Sequence, residues 1–114
     1  MNKWDIFLLA YPFTDLTQTK ARPAVVMSPN SASAGEDAVF IAITGNTECN
    51  SPHDIMFPRN HPEYKLSGLL CDSVIKVDKI FTLHKSLAKK KLGKLGPMLQ
   101  AKVKEQIIRF FELD

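Results

Sequence analysis

Short apolar stretches separated by polar, turn-forming segments make up most of the chain. The first three are Trp4–Tyr11, the "AVVMS" segment that follows Pro23, and Ala38–Thr44. Each is rich in β-branched, leucine or aromatic residues and ends at proline or glycine-containing turn residues, which is typical of β-strands. Residues 13–21, between the first two stretches, are polar without an apolar period and predict a loop.

The middle of the chain is polar from residue 45 to residue 64, apart from Asp54–Phe57, which predicts a short edge strand. The next segment, Gly68–Leu83, alternates between apolar and polar positions in its second half and predicts a longer strand. We expect a bulge near Asp78, because only an extra residue in the strand keeps Ile80 in the core.

The last third of the chain predicts a helix. Residues 89–96, "KKKLGKLG", are basic and indicate an exposed strand or turn, and Pro97 then suits the first turn of a helix. The following apolar positions, three and four residues apart, form one stripe: Leu99, Val103, Ile107, Phe110 and Phe111. The bulky side chains at the end of this stripe are more than one small barrel can cover, which favours a homodimer.

Five or more short strands followed by one terminal helix predict a mainly β fold. We expect a small, strongly bent sheet or barrel with the C-terminal helix packed against it. At 114 residues with 45% hydrophobic residues, the chain can bury a core without disulfide bonds. It is therefore interpreted as one domain spanning residues 1–114.

The net charge of +3 is unevenly distributed along the chain. Residues 1–83 carry seven Lys or Arg against nine Asp or Glu, whereas residues 84–114 carry eight against three. Two interpretations remain open: the basic third attracts a polyanion or an acidic partner, or it is a solvated lysine-rich face without a partner.

The two cysteines, Cys49 and Cys71, form no C-x-x-C pair and are too few for a disulfide framework, so we interpret them as reduced thiols. Together with His53 and His61 they match no common zinc spacing, and we expect neither a metal nor another cofactor. No charged and apolar leader opens the sequence, and its apolar runs are shorter than a membrane span. These features favour a soluble cytoplasmic protein with no membrane contact.

Arg22 and Thr44 are candidate ligands for an anion. Pro23 holds the residue before it in an extended conformation, so Arg22 presents its guanidinium fork in a fixed direction, suited to a phosphate or carboxylate. The alternative is a loop arginine that pairs with Asp15 or with solvent. Thr44 ends an apolar strand, where its hydroxyl can bind a ligand phosphate or cap the turn that follows.

Lys76 and Asp78 are two residues apart and share one face of the predicted strand. Such a pair can place a cation that stabilises negative charge and a carboxylate that accepts a proton beside a substrate. The alternative is an ion pair on an exposed face with no chemical role.

Four blocks in order resemble the MazF/PemK-like toxins of type II toxin–antitoxin systems. The N-terminal "WDIFLLAYPFTDLTQTKARPAVVMS" is similar to the family's "GDI" strand, "PFTDL" loop and "RPA" strand. "AVFIAIT" resembles the strand ending in "IT", "SVIKVDKIFTLHKS" the "S-V-V-(K/R)-x-D-x-I-R-T" segment, and "KKLGKLGPMLQAKVKEQIIRFFEL" the closing turn and helix. The similarity covers nearly the whole chain.

The resemblance implies an SH3-like small barrel of the CcdB/PemK-like toxin fold, usually a homodimer. It further implies a metal-independent endoribonuclease that cleaves single-stranded RNA or mRNA through the ribose 2′-hydroxyl, inhibits translation and is blocked by a cognate antitoxin. By motif position, the catalytic residues are Arg22, Thr44, Lys76 and Asp78. The further RNA-binding candidates are Thr19, Lys20, Asn46 and Lys79.

The sequence departs from the family pattern at several positions. Trp4 replaces the glycine of "GD", Phe81 replaces the arginine of "I-R-T", His84 replaces the following aspartate, and the loop before Arg22 lacks a glutamate found in some members. Two alternatives therefore stay open. One is a CcdB-like protein that poisons DNA gyrase without being an enzyme, and the other is a degenerate member that binds RNA or the antitoxin without cleavage.

Overall fold

Antiparallel strands form most of the structure, a computed structural model that describes residues 1–12, 19–29, 35–48 and 51–114. The strands are β1 (Asp5–Pro12), β2 (Thr19–Val26), β3 (Asp37–Thr44), β4 (Asp54–Phe57), β5 (Ser73–His84) and β6 (Ala88–Lys94). The helices are α1 (Tyr64–Ser67) and α2 (Pro97–Phe111). The predicted mainly β fold with a C-terminal helix is confirmed. Within the described ranges, no helix is long and apolar enough to cross a membrane.

Within the described ranges, the six strands belong to one sheet with the order β4-β5-β3-β2-β1-β6. The four-residue strand β4 lies at one end, which confirms the predicted edge strand. The basic segment near the C-terminus forms β6 at the other end and pairs with β1. The long strands β3 and β5 therefore lie between the short edge strand and the N-terminal hairpin.

The start of β2 corrects the sequence prediction. A loop was expected to residue 21, but the strand begins at Thr19 because it pairs with β1 from Pro12–Thr19 onwards. Pairing with β3 begins only at Ala24. Pro23 is therefore tolerated inside the strand, at a position where β2 has a partner on one side only. The remainder of the predicted loop lies outside the described residues.

A three-residue bulge interrupts the pairing of β5 with β3. Ile41 lies opposite Ile80, but the next residue, Ala42, lies opposite Lys76, so residues 77–79 have no partner in β3. Ile80 consequently packs against the main core cluster. The bulge predicted near Asp78 is confirmed.

The helix α1 was not predicted, and its end explains why β5 begins later than expected. Gly68 terminates the helix with a φ of 69°, in the left-handed region. A Cβ atom at this position would collide with the carbonyl oxygen of Leu92 in β6. Only glycine allows this close approach of the chain after α1 to β6.

Apolar residues form two clusters. The main cluster contains Ile6, Val25, Ile41, Ile43, Ile55, Phe57, Leu69, Ile75, Val77, Leu95, Leu99 and Val103. The second contains Leu9, Ala24, Val26, Ala38 and Phe40. Adjacent residues of β2 and β3 belong to different clusters, as expected for side chains that alternate between the faces of a sheet.

The stripe of α2 is covered only in part. Leu99 and Val103 are buried in the main cluster, whereas Phe110 and Phe111 are 37% and 51% exposed. The helix therefore has more apolar surface than this chain covers, and the expectation of a homodimer stays a prediction.

Trp4 has a φ of 78°, in the left-handed region that glycine favours. Its amide donates to the Val26 carbonyl at 2.8 Å, and its carbonyl accepts from the Leu95 amide at 2.9 Å. The indole packs against the main cluster, with the ammonium groups of Lys3 and Lys104 at 5.3 Å and 5.9 Å from the ring centre. The glycine of the family pattern thus corresponds to a strained backbone position, which strand contacts and ring packing hold here.

Glu63 connects the segment before α1 to the start of α2. Its carboxylate oxygens accept hydrogen bonds from the backbone amides of Met98 at 2.9 Å and Leu99 at 3.0 Å. These amides have no partner within the helix, and the helix dipole favours a negative charge here. A Cβ atom at Gly96 would collide with this carboxyl group. The buried Glu63 therefore fixes α2 against the sheet.

Replacing Trp4 by alanine or by glycine removes the ring in both variants, but only glycine relieves the left-handed strain. We expect Trp4→Ala to unfold with a free energy about 1 kcal/mol lower than Trp4→Gly. Urea titration followed by circular dichroism measures the difference. An alanine variant as stable as the glycine variant would contradict the assigned backbone conformation.

Removing the Glu63 carboxylate should loosen α2. We expect Glu63→Ala to lower the free energy of unfolding by about 2 kcal/mol, and Glu63→Gln to lower it less, because an amide oxygen still accepts a hydrogen bond. Urea titration against Glu105→Ala, a change at an exposed α2 residue, provides the control. Equal losses at both positions would show that Glu63 does not anchor the helix.

Candidate active site

A pocket of about 310 Å³ lies where β2, β3 and β5 meet. Its walls are Arg22, Ala42, Ile43, Thr44, Lys76, Lys79 and Phe81. Arg22, Thr44 and Lys76, predicted as catalytic, and Lys79, predicted to bind RNA, are all among them. The fold therefore brings together residues that are up to 57 positions apart in the sequence.

The strand registers explain this convergence. Ala24 lies opposite Ala42, and Ala42 lies opposite Lys76, so these residues form one row across three strands. Arg22 and Thr44 are each two residues beyond this row on the same side and so point to the same face. The face is the one that carries the second apolar cluster, since Ala24 belongs to it.

Arg22 is half-buried and contributes to two pockets. The second has a volume of about 330 Å³, and apolar residues such as Leu8, Leu69 and Leu92 make up much of its wall. Arg22 thus lines both the cationic pocket and an apolar pocket. Asp15, the alternative partner in the sequence analysis, lies outside the described residues.

The hydroxyl of Thr44 accepts a hydrogen bond from the backbone amide of Asn46 at 3.1 Å. This is turn capping, one of the two roles that the sequence left open for Thr44; the other was binding a ligand phosphate. A hydroxyl has one hydrogen to donate and two acceptor lone pairs. Thr44 can therefore cap the turn and still donate to an anion in the pocket.

Lys76 forms an ion pair that sequence reasoning missed. An ion pair with Asp78 was the alternative weighed from the sequence, but the carboxylate that lies 2.8 Å from Lys76 Nζ belongs to Asp54. Asp54 stands directly opposite Lys76 in the β4–β5 register. The sequence did predict the short edge strand that begins at Asp54. It did not predict how this strand pairs with β5, so Asp54 could not be identified as the partner of Lys76.

Asp78 occupies the bulge of β5. Its Oδ1 atom is buried and has no hydrogen-bond partner within the described part of the chain. It is not among the walls of the cationic pocket, although the next residue, Lys79, is. The structure therefore places a buried, under-satisfied carboxylate oxygen in the segment that borders the site.

The remaining RNA-binding candidates are Asn46, Thr19 and Lys20. Asn46 is exposed, and its side-chain oxygen accepts from the Glu48 amide at 3.1 Å. Thr19 and Lys20 lie in β2, but their side chains are outside the described part of the structure. Their role in RNA binding stays a prediction.

Phe81 and His84, two departures from the family pattern, have structural roles. Phe81 stacks on Phe40 with ring centres 5.9 Å apart and joins the pocket wall to the second apolar cluster. His84 caps the turn after β5, where its Nδ1 atom accepts from the Ser86 amide at 3.1 Å. Aspartate performs the same kind of capping through its carboxylate.

Among the residues that the structure describes, no group of three or more His, Cys, Asp or Glu side chains could hold a metal ion. Cys49, one of the ligands weighed in the sequence analysis, lies outside them. The pocket itself presents a guanidinium, two ammonium groups and a hydroxyl, which together suit a phosphate.

The family model of the PemK-like, MazF-like toxins of type II toxin–antitoxin systems matches residues 2–111. The chain belongs to this family. A comparison with curated proteins found no significant match. The family match confirms the resemblance drawn from the four sequence blocks.

Solved structures of toxins share the fold across almost their whole length. A mycobacterial endoribonuclease in complex with its cognate antitoxin is 18% identical, with coverage of 100% of this chain and 97% of that chain and a TM-score of 0.77. The Mycobacterium tuberculosis toxin MazF-mt6 is 20% identical, with coverage of 96% of this chain and 98% of that chain and a TM-score of 0.76. The MazE-MazF structure of Deinococcus radiodurans is 17% identical, with coverage of 100% of this chain and 97% of that chain and a TM-score of 0.79. At these identities the likeness concerns the fold.

Proposed function

We propose that this toxin-family chain is an endoribonuclease that cleaves single-stranded RNA or mRNA without a metal ion and so inhibits translation. The observation that carries the proposal is the convergence of Arg22, Thr44 and Lys76 on one pocket. Family membership supports it, and so do the similar solved structures, which include endoribonucleases from mycobacterial species. A cytoplasmic location follows from the substrate.

Cleavage of this kind uses the ribose 2′-hydroxyl as the nucleophile. Its oxygen forms a bond to phosphorus while the bond from phosphorus to the 5′-oxygen breaks, which leaves a 2′,3′-cyclic phosphate and a 5′-hydroxyl. The protein must accept the proton of the 2′-hydroxyl, stabilise the negative phosphoryl oxygens and supply a proton to the leaving oxygen.

The pocket residues fit these tasks. Arg22 donates in a fork to the phosphoryl oxygens, and Thr44 donates its hydroxyl hydrogen to one of them. The Lys76 ammonium is proposed to stabilise the developing charge and to donate the proton to the 5′-oxygen. Asp78 is the proposed proton acceptor, because its buried Oδ1 atom has no hydrogen-bond partner within the described ranges and the residue directly precedes Lys79 of the wall in the sequence.

The proposed partners follow from the same family. A cognate antitoxin would neutralise the activity, as one similar structure is a complex of an endoribonuclease with its antitoxin. A homodimer would cover the exposed Phe111 and its neighbours on α2. The alternative of a gyrase poison gains no separate support, since the family match is to the PemK-like, MazF-like toxins.

Loss of the guanidinium should remove most of the cleavage. We expect the wild type to cleave a mixed-sequence RNA in EDTA into fragments ending in 2′,3′-cyclic phosphate, and Arg22→Ala to be about 100-fold to 1,000-fold slower. Mass spectrometry of the fragments identifies the ends. The control is Arg109→Ala, an exposed arginine on α2 whose loss should leave the rate unchanged. If the RNA stays intact with both the wild type and the variant, the nuclease proposal is wrong. Salt-sensitive binding of the intact RNA would then favour the alternative of a degenerate member that binds RNA without cleaving it.

Replacing the proposed proton acceptor should slow the chemical step without preventing RNA binding. We expect Asp78→Asn to reduce the single-turnover rate by about 100-fold or more while the Kd for an uncleavable 2′-deoxy oligonucleotide stays the same. Asp37→Asn, at the exposed start of β3, is the control. A single-turnover rate equal to that of the wild type would assign the proton to another group.

A further inference from the structure

Lys76 and Asp54 form an ion pair that is almost completely withdrawn from solvent. Their side chains are 11% and 1% exposed, and Lys76 Nζ lies 2.8 Å from Asp54 Oδ2. Taking two charges out of water costs several kcal/mol per ion, so a buried pair is weak evidence of a contribution to stability. Its position at the wall of the cationic pocket suggests a role in the site instead.

The backbone holds Asp54 in place. It lies directly opposite Lys76 across β4 and β5, and its amide donates to the Ser51 carbonyl at 3.2 Å. The same carboxylate oxygen that meets the ammonium also accepts from the Ser51 amide at 3.4 Å. The carboxylate is therefore fixed from two sides, and it fixes the ammonium in turn.

The charged groups around Lys76 indicate how the Asp54 carboxylate affects the protonation of this lysine. β2 contributes Arg22, β5 contributes Lys79 and the nearby Asp78, and β4 contributes Asp54, while β3 contributes only uncharged groups to the pocket. Neighbouring cations and burial both disfavour a protonated lysine, whereas an anion in contact favours it. The Asp54 carboxylate is such an anion, 2.8 Å from the ammonium.

We propose that Asp54 is a positioning residue of the phosphate site, which keeps Lys76 protonated and directs its ammonium into the pocket beside Arg22. The inference rests on the proposed nuclease function. Asp54 itself does not touch the reacting atoms and acts through Lys76. Cleavage therefore depends on a residue of the edge strand, outside the motifs that carry the family resemblance.

The pH dependence of cleavage follows from this arrangement. The Asp54 carboxylate, 2.8 Å from Lys76 Nζ, stabilises the charged form of the lysine. In Asp54→Asn the cations remain while the carboxylate in contact with the ammonium is replaced by a neutral amide, so we expect Lys76 to lose its proton at a lower pH. Because the reaction needs the protonated form, we expect the alkaline fall in rate to move down by about one pH unit or more.

The rate is measured from pH 6.5 to 9.5 on a DNA oligonucleotide with a single ribonucleotide, which suppresses background hydrolysis. Asp54→Asn should show the shifted alkaline fall, and Glu105→Gln, on α2, should not. Adding Lys76→Arg to Asp54→Asn should remove the shift, because arginine keeps its charge throughout this range. A purely structural role for Asp54 predicts a loss that is the same at every pH and is not changed by arginine.

A second readout does not depend on nuclease activity. Competitive labelling of lysine amines with acetic anhydride, followed by mass spectrometry, gives the pH at which Lys76 becomes reactive. We expect this pH to fall in Asp54→Asn and to stay unchanged in Glu105→Gln. Should Asp54→Asn fail to fold, Asp54→Ser, which leaves room for water, replaces it in both experiments.

The outcomes separate the two proposals. If the wild type cleaves RNA but Asp54→Asn keeps both the wild-type pH profile and the wild-type labelling of Lys76, the role of Asp54 is overturned and the nuclease function stands. If the wild type does not cleave while the labelling shifts, the nuclease function fails and the role in cleavage fails with it, and only the control of the Lys76 charge by Asp54 survives.

Discussion

The pairing of β3 with β2 on one side and β5 on the other is the constraint on which the site depends. It sets Ala24, Ala42 and Lys76 in one row and so places Arg22 and Thr44 beside Lys76. A slip of one residue in either pairing would turn the affected side chains to the opposite face of the sheet. The three-residue bulge lets β5 maintain this row and still return Ile80 to the core.

Much of the fold could be predicted because its signals are local. Alternation and proline or glycine boundaries predicted β3 and the edge strand, and the spacing after Pro97 predicted α2. The start of β2 at Thr19 could not be predicted, because it depends on hydrogen bonding to β1 rather than on apolar pattern. The helix α1 is too short to show a period, and the close approach of Gly68 to Leu92 that ends it is a tertiary contact.

In the site, too, features with local sequence signals could be predicted, whereas features that depend on tertiary contacts could not. Arg22 and Thr44 could be singled out because proline and a strand end mark them in the sequence. The contacts of Asp54 and Glu63 span 22 and 35 residues, respectively, and nothing in the local sequence indicates their partners. The departure at Trp4 is understood only from the structure, where it has a φ of 78° and the ring packs on the core.

A toxin fold of this family therefore carries a cationic pocket whose charged groups come from different strands and whose Lys76 is paired with a carboxylate of the edge strand. The proposed function requires this pocket to bind the scissile phosphate. A crystal structure with an RNA that carries a 2′-deoxy residue at the cleaved position tests this directly. We expect a phosphate within hydrogen-bond distance of the Arg22 guanidinium and the Thr44 hydroxyl. A bound RNA whose phosphates all lie outside the pocket would contradict it.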